Sequence, residues 1–387
     1  MIKRHISTEL MSLIAEYPVI TILGPRQAGK TTLARLCLPE YEYYNLEHPE
    51  TRQLAIDDPK AFMARCGKKV ILDEIQRVPE LLSYIQVIVD EAQLNGQFVL
   101  TGSHQLALRE AITQSLAGRT SILNLLPLSI AELKGANIRF TNPESYIYQG
   151  FLPRVHDQQQ RPTQAYSNYY QTYVERDVRQ LINIKDFMLF EKFMKLLAGR
   201  AGQLLNHSSL ANDVGVTVAT IKNWLSILEA SFIIFKLPPY FENFGKRVVK
   251  SPKYYFIDTG LLCFLLGIEK PEQVARDPLV GQLFENLVVI EFLKSRTNRG
   301  YLPGLYFFRD SNGLEVDLIF QQGRQLTAIE VKSSSTYHPS MLKALKKLKL
   351  LAPTLKQTYL IFSGDKFEFT DGMSAVNFSD VDQIMAG

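Results

Sequence analysis

Three cysteines in 387 residues, Cys37, Cys66 and Cys263, are too few and too far apart for a disulfide framework or a CxxC metal pair. A reducing compartment is therefore expected. The six histidines are scattered, with no HExxH or other paired spacing, so none is assigned to zinc. Nowhere do roughly 18 apolar residues run uninterrupted, as a membrane-spanning helix requires. The densest apolar stretch, Leu261 to Ile268, is far shorter and follows Asp258. Met1 to Thr8 is basic but lacks the apolar stretch and cleavage site of a secretory signal, so a cytoplasmic location and no membrane partner are expected. Excess charge is also scarce: 43 Lys+Arg against 39 Asp+Glu leave +4, which implies nucleic acid only if basic residues cluster locally. No internal repeat or low-complexity tract is present. What remains is a chain with 46% hydrophobic and 21% charged residues, which excludes wholesale disorder. Its length suits two or three domains of about 150 residues.

From Pro18 to about Leu133, short β-branched runs alternate with longer helical stretches. Val19 to Leu23, Lys69 to Leu72 and Phe98 to Thr101 read as strands buried on both faces, the signature of a parallel α/β sheet. The stretch from Asn137 to Pro162 is richer in Pro, Gln and Asn and marks a first boundary. Tyr166 to Gly199 reads as helical. In Ser208 to Tyr255, Ser208-Ser209 is expected to cap a short helix over Leu210 to Val214, with Gly215 as the turn. A second helix over Thr217 to Ala230 follows, then two strand-like runs, Phe232 to Leu237 and Tyr254 to Ile257. Helix-turn-helix followed by a hairpin is the winged-helix pattern. From Gly281 the reading is helix, strands, a basic helix, and a last strand near Tyr359 to Phe362.

Gly24-Pro25-Arg26-Gln27-Ala28-Gly29-Lys30-Thr31 matches GxxxxGK[ST] between a predicted strand and a predicted helix, the context that motif needs. Glycines let backbone amides converge on phosphate oxygens, and the helix N-terminus adds the positive end of its dipole. Lys30 is expected to reach the β- and γ-phosphates, and the Thr31 hydroxyl to ligate Mg²⁺. Val70-Ile71-Leu72-Asp73-Glu74 is an apolar strand closed by two carboxylates. Asp73 would hold hydrated Mg²⁺, and Glu74 would orient and deprotonate the attacking water. A hydroxyl at the end of the third strand, Ser103 first and Thr101 next, could sense the γ-phosphate. Arg119 has no obvious partner in its own sequence neighbourhood and is a candidate arginine finger for a neighbouring subunit's site; a surface salt bridge is the plain alternative.

These segments resemble one prokaryotic family of AAA-type ATPases that carry a C-terminal domain of unknown function. The resemblance rests on Gly24 to Leu33 (Thr32 included), Leu72 to Gln76, Leu100 to Ser103 and Leu116 to Arg119. It continues through Tyr173 to Val178, Lys246 to Lys253, Asp258 to Leu261, Phe284 to Asn286 and Glu330 to Ser333. It implies ATP binding and ATPase chemistry, a winged helix, a nuclease-like fold, and a homo-oligomer, a ring among its forms, with sites between subunits. The fold class expected is α/β: an N-terminal P-loop AAA-type ATPase domain (1–140), a helical linker (141–200), a central winged helix (201–268) and a C-terminal α/β restriction-endonuclease-like domain (269–387).

The carboxy-terminal carboxylates carry a second resemblance. Leu314 to Phe320 and Ala328 to Lys332 read as strands, and Glu330 and Lys332 share a face because side chains alternate. If the two strands pair, Asp317 approaches Glu330, and Glu285 on an amphipathic helix faces the same corner. Such carboxylates suit a second Mg²⁺ or Mn²⁺, with the lysine set against a phosphodiester. Glu285, Asp317, Glu330 and Lys332 resemble the PD-(D/E)xK nuclease set, with Val316 where that pattern has proline. Cleavage and binding alone are both open to such a set.

Lys246, Arg247, Lys250 and Lys253 fall at the expected wing among Tyr240, Phe241, Phe244, Tyr254 and Tyr255, and Lys222 lies on the recognition-type helix. Basic side chains interleaved with aromatics suit DNA phosphates and bases; the competing reading is a protein-packing module. Lys343, Lys346, Lys347 and Lys349 alternate with leucines, as on a solvated face over a core stripe. Two functions are carried forward: an ATP-driven protein whose nucleotide state repositions a DNA-binding, cleavage-capable C-terminal region, or an ATP-driven switch that binds a protein partner through a silent nuclease-like fold.

Overall fold

A computed structural model describes residues 1–102, 112, 114–178, 187–240, 249–323, 325–352, 354–370 and 372–385, apart from the side chains of 175–178 and 322. Ser103, Lys246 and Arg247, singled out above, lie outside the described residues. Contacts divide the chain into two units. The first holds residues 1–128, 230–232 and 297–300; the second holds 129–229, 233–296 and 301–387. Among the described residues no helix is long and apolar enough to cross a membrane.

The first unit is built on a five-stranded parallel sheet: β1 (Val19–Leu23), β2 (Glu42–Asn45), β3 (Val70–Asp73), β4 (Phe98–Gly102) and β5 (Thr120–Asn124), in the order β2-β3-β4-β1-β5. Alternation sends neighbouring residues to opposite faces. Val19, Leu23, Val70, Leu72, Phe98 and Leu100 pack with Leu81, Leu82, Ile85 and Val89 of the helix Leu81–Ala92. Ile20, Ile22, Ile71 and Val99 pack on the other face with Ile6, Leu10, Leu33 and Ala34. Apolar side chains on both faces explain why these strands read as continuous hydrophobic runs. Because β4 lies between β1 and β3, the carboxyl ends of all three strands open on one edge of the sheet, where ligands of open α/β sheets bind.

The second unit begins with the helix Ile130–Gly135, whose Ser129 and Glu132 form a capping box. The helices His207–Val214 and Val218–Ala230 follow further on, then an antiparallel ribbon of β6 (Ile234–Leu237) and β7 (Lys253–Phe256). Asn206, not Ser208-Ser209, caps the first of these helices, accepting from the amides of Ser208 at 2.9 Å and Ser209 at 3.0 Å. Gly215, at φ 94°, ends it in the left-handed conformation that glycine adopts freely. Phe232, at φ 55°, turns rather than extends, so the strand starts later than the hydrophobic run suggests. A six-stranded mixed sheet completes the unit: β8 (Leu305–Arg309), β9 (Glu315–Gln322), β10 (Gln325–Val331), β11 (Leu355–Phe362), β12 (Phe367–Glu368) and β13 (Ser374–Asn377), in the order β12-β13-β11-β10-β9-β8. Leu345 and Leu348 of the helix Lys343–Leu351 enter its core with Phe308, Val316 and Leu360, leaving Lys346, Lys347 and Lys349 exposed.

A buried polar knot holds the helical part of this unit. Asp258 accepts from the amides of Gly260 (2.9 Å) and Phe151 (3.0 Å) and from the Tyr166 hydroxyl. The Tyr166 ring lies so close to Gly260 that a Cβ there would overlap it. Tyr166 is fully buried and cannot step aside, so Gly260→Ala should cost about 1–3 kcal/mol by overpacking. Thermal or denaturant unfolding reads this directly; a variant as stable as the parent would contradict the packing described.

Candidate nucleotide site and carboxylate cleft

Between β1 and the helix Lys30–Cys37 the chain makes a tight loop that only glycine permits at two points. A Cβ at Gly24 would run into the carbonyl of Leu125, and Gly29 caps the helix at φ 93°. Lys30 folds back into this loop, donating to the carbonyl oxygens of Gly24 at 3.0 Å and Pro25 at 2.9 Å. Burial pushes its ammonium down to about 8, against the pull of the Glu74 and Asp73 carboxylates. Arg4, buried behind the loop, donates to the carbonyls of Ala28 (2.7 Å) and Leu126 (2.6 Å) and ties the loop to the end of β5. Arg26 extends toward Glu47 at 3.8 Å, Gln27 takes φ 62°, and Thr32 is exposed within the first turn of the helix.

Asp73, at the end of β3, faces this loop. It accepts from the Thr31 hydroxyl at 3.0 Å, from the Tyr43 hydroxyl at 2.7 Å, and from Thr101 at the end of β4. Burial and then the Asp73 carboxylate push the Tyr43 phenol well up, so it stays a donor. Glu74 leaves the strand at φ 58°; its amide donates to Thr101 Oγ1 at 3.3 Å and its carboxylate accepts from the Gln76 side chain. Nothing in the sequence signals Arg4 or Tyr43: each reaches the site across long sequence separations that leave no local pattern. Thr101, ranked after Ser103 on sequence, is the hydroxyl that the described residues place beside the acid pair. The donor set fits the expected group. Thr31 and Asp73 offer hard oxygens in mutual contact, as Mg²⁺ prefers, and a buried ammonium whose partners here are its own loop's carbonyls suits phosphate.

Arg119 has the intrachain partner that the sequence does not reveal. It grips Asp90 bidentately, Nε to Oδ1 at 2.6 Å and Nη2 to Oδ2 at 2.8 Å. It precedes β5, at the edge where Val19 pairs with Thr120, whereas Gly24 follows the other end of β1. A strand length of about 16 Å therefore keeps it from its own chain's nucleotide loop.

In the second unit Asp317 does approach β10, accepting from the Val331 amide at 2.8 Å, and Lys332 lies 2.6 Å from Glu330 and 3.8 Å from Asp317. Glu285, on the helix Val280–Thr297, accepts from the Tyr255 hydroxyl at 2.5 Å and from Lys253 at 2.9 Å. Lys253 also reaches Glu315 at 2.7 Å, and Arg309 holds the other Glu315 oxygen at 2.8 Å. Lys253 is thus not the solvent-facing DNA contact expected of it. Its side chain is 3% exposed, because β7 turns it inward onto facing carboxylates. Burial, then repulsion from Asp317, raises the carboxyls of Glu285 and Glu330, against the opposing pull of Lys253 and Lys332 respectively. The Lys253 ammonium is raised on balance, because its acidic neighbours outweigh the effect of burial.

The donor set of this cleft does not fit the second divalent ion. Glu285, Glu315 and Asp317 line one cavity of about 610 Å³ together with Lys253, Arg309 and Lys332. Glu330 lines a different one of about 730 Å³ beside Lys343 and Lys347. Among the described residues no group of three His, Cys, Asp or Glu side chains is set to hold a metal.

Residues 16–134 match the AAA domain family. The amino-terminal unit is of AAA type. Beyond the AAA domain, residues 141–272 and 280–381 match two domains of unknown function, DUF8612 and DUF4143. The whole AAA-containing chain is similar to an uncharacterized protein of Mycobacterium tuberculosis, 29% identical over 99% of this chain and 84% of that one. It is also similar to uncharacterized proteins of Methanocaldococcus jannaschii (24%, 86% and 79%) and Haemophilus influenzae (26%, 67% and 64%). Among solved structures it aligns with a Walker-type ATPase of Pyrococcus abyssi at 15% identity, over 67% of this chain and 94% of that one, TM-score 0.46. It aligns with a RuvB variant of Thermotoga maritima at 18%, over 61% and 90%, TM-score 0.33. Outside the AAA domain, Lys222 and Lys250 are exposed.

Proposed function

We propose that the protein binds ATP with Mg²⁺ at the Gly24–Thr31 loop and hydrolyses it. The observation that carries this reading is the meeting of Thr31 and Asp73 at 3.0 Å beside the buried Lys30. Lys30 exchanges its loop carbonyls for β- and γ-phosphate oxygens, Thr31 and Asp73 hold the Mg²⁺, and Glu74 orients and deprotonates the attacking water. Mg²⁺, when bound, neutralises charge that develops on the transferring phosphoryl group. Thr101 holds Asp73 and the Glu74 amide in register, with Ser103 the further γ-phosphate sensor. Arg119 serves a neighbouring subunit of a homo-oligomer, released from Asp90 on assembly. ATPase assays with the purified protein test the reading: phosphate release that requires Mg²⁺ supports it, and none at any protein concentration rejects it.

The depressed Lys30 gives a pH signature. Bound phosphate favours the charged ammonium, so the free protein, with Lys30 near 8, must take up a proton on binding above that pH and almost none near pH 7. Apparent affinity therefore falls as pH rises through 8. Calorimetry at about pH 8.5 in two buffers of different ionisation heat measures the uptake, expected at about three quarters of a proton. Identical heats would contradict the assignment of Lys30.

For the second unit the pair of helices and the β6–β7 ribbon are read as a winged helix, with exposed Lys222 and Lys250 and the undescribed Lys246 and Arg247 as DNA contacts. The six-stranded sheet is read as nuclease-like. The alternative, a switch that binds a protein partner through a catalytically silent fold, is favoured by one observation: ammonium groups already neutralise the cleft carboxylates. DNA that stimulates ATP hydrolysis supports the first reading; indifference supports the second.

A further inference from the structure

We propose that Lys253 is a built-in cation of the carboxylate cleft, a fixed ammonium that takes the place of a divalent ion between Glu285 and Glu315 and keeps the cleft from binding one. The inference stands apart from the ATP reading. Its ammonium lies 2.9 Å from Glu285 and 2.7 Å from Glu315, within the range of a charge-assisted hydrogen bond to each. Nothing about it suggests a mobile surface lysine. Its backbone is paired with Leu237 across the ribbon and bridged to Leu204, its side chain is 3% exposed, and the Phe307 ring lies 5.5 Å from the ammonium.

Its partners are fixed in turn. The Tyr255 hydroxyl donates to the Glu285 oxygen that faces Lys253, and Arg309 occupies the second oxygen of Glu315. The remaining carboxylate of the cavity, Asp317, is held by the Val331 amide and faces Lys332. Three acids and three bases line the cavity, and Glu330, 2.6 Å from Lys332, adds a fourth acid beside it with one buried oxygen left without a partner. A divalent ion placed between Glu285 and Glu315 would meet the Lys253 ammonium at contact distance from both carboxylates. To bind, it would have to expel a buried lysine and leave that charge without partners, which low-dielectric surroundings penalise heavily. The cleft thus keeps the residue types of a metal site while its own lysine does the neutralising. Its role becomes that of an ionic clamp, joining the β6–β7 ribbon to the helix that carries Glu285 and the strand that carries Glu315.

Mn²⁺ binding followed by electron paramagnetic resonance, on the full chain without nucleotide, tests this. An Asp73→Asn background removes the metal-holding carboxylate of the nucleotide site, and Asp317→Asn assigns any uptake that remains. In that parent, Mn²⁺ is expected to stay free. Lys253→Met creates one site, at least about tenfold tighter than any in the parent; Lys253→Arg, which keeps a cation, does not. Adding Asp317→Asn to Lys253→Met abolishes the gained site, assigning it to the cleft. Equal uptake by the parent and Lys253→Met overturns the proposal. So does uptake by the parent that Asp317→Asn removes, a comparison that needs no Lys253 variant and remains decisive if Lys253→Met fails to fold. Failure here leaves nucleotide binding untouched, so the two readings fall separately.

Discussion

Replacing Glu74 by glutamine should leave ATP binding intact and lower turnover by about 10²–10⁴-fold, the range a positioned general base contributes. The amide keeps the size of the side chain, and it can still partner Gln76, so the loop after β3 has no reason to move. What is lost is the ability to take a proton from water. Lys30→Ala should fail earlier, at binding, because its ammonium is the one folded into the Gly24–Gly29 turn where phosphate would sit. The two variants therefore separate grip from chemistry: calorimetry sees nucleotide with Glu74→Gln and none with Lys30→Ala, while phosphate release is lost in both. A Glu74→Gln protein that turns over at the parent rate would remove Glu74 from its role.

The largest stability effect is expected from Lys294. It is 1% exposed, 2.8 Å from Glu291 and 3.5 Å above the Phe151 ring. The other Glu291 oxygen accepts from the Ile130 amide at 2.7 Å, capping the first turn of the helix Ile130–Gly135. Lys294→Met fills much of the same space but leaves a buried carboxylate uncompensated, a loss of about 3–5 kcal/mol. Glu291 is already raised by burial and held down by Lys294; without the lysine its carboxyl rises further. The folded variant then retains a proton that the unfolded chain releases above about pH 4.3, so the loss should deepen as pH rises from about 5 to 8. Lys294→Met with Glu291→Gln removes both charges and keeps an acceptor for Ile130, so most of the stability should return. Denaturant unfolding at two pH values measures all three; a pH-independent loss would show that packing, not charge, is what Lys294 contributes.

The parts of this molecule that are legible in the sequence are those whose physics is local. β1, β3 and β4 announce themselves as apolar runs because helices cover both faces of the sheet. The phosphate loop is legible because its glycines, lysine and threonine act within one turn of chain. β2 leaves no such mark: Glu42 to Asn45 is an edge strand, half exposed, with no apolar run. β5 is hidden for a related reason, since Thr120 to Asn124 mixes polar and apolar residues and leaves Ile122 exposed. Asn206 takes the cap from Ser208-Ser209 because its side-chain oxygen reaches two amides at once. Lys253 reads as a surface cation because its sequence neighbours are basic. Its actual surroundings, Glu285 and Glu315, come from a helix and a strand far along the chain, and only the fold brings them together. Arg119 looks solitary because Asp90 is distant in sequence.

The central claim is that a nucleoside triphosphate is held by Lys30 and the Thr31–Asp73 pair. Titration of ATP with Mg²⁺ into the full chain, followed by calorimetry, tests it most directly. The account predicts one saturable site per chain that Thr31→Ala weakens and Lys30→Ala removes. Absence of any saturable heat, with no ATP retained on the protein by equilibrium dialysis, would contradict it.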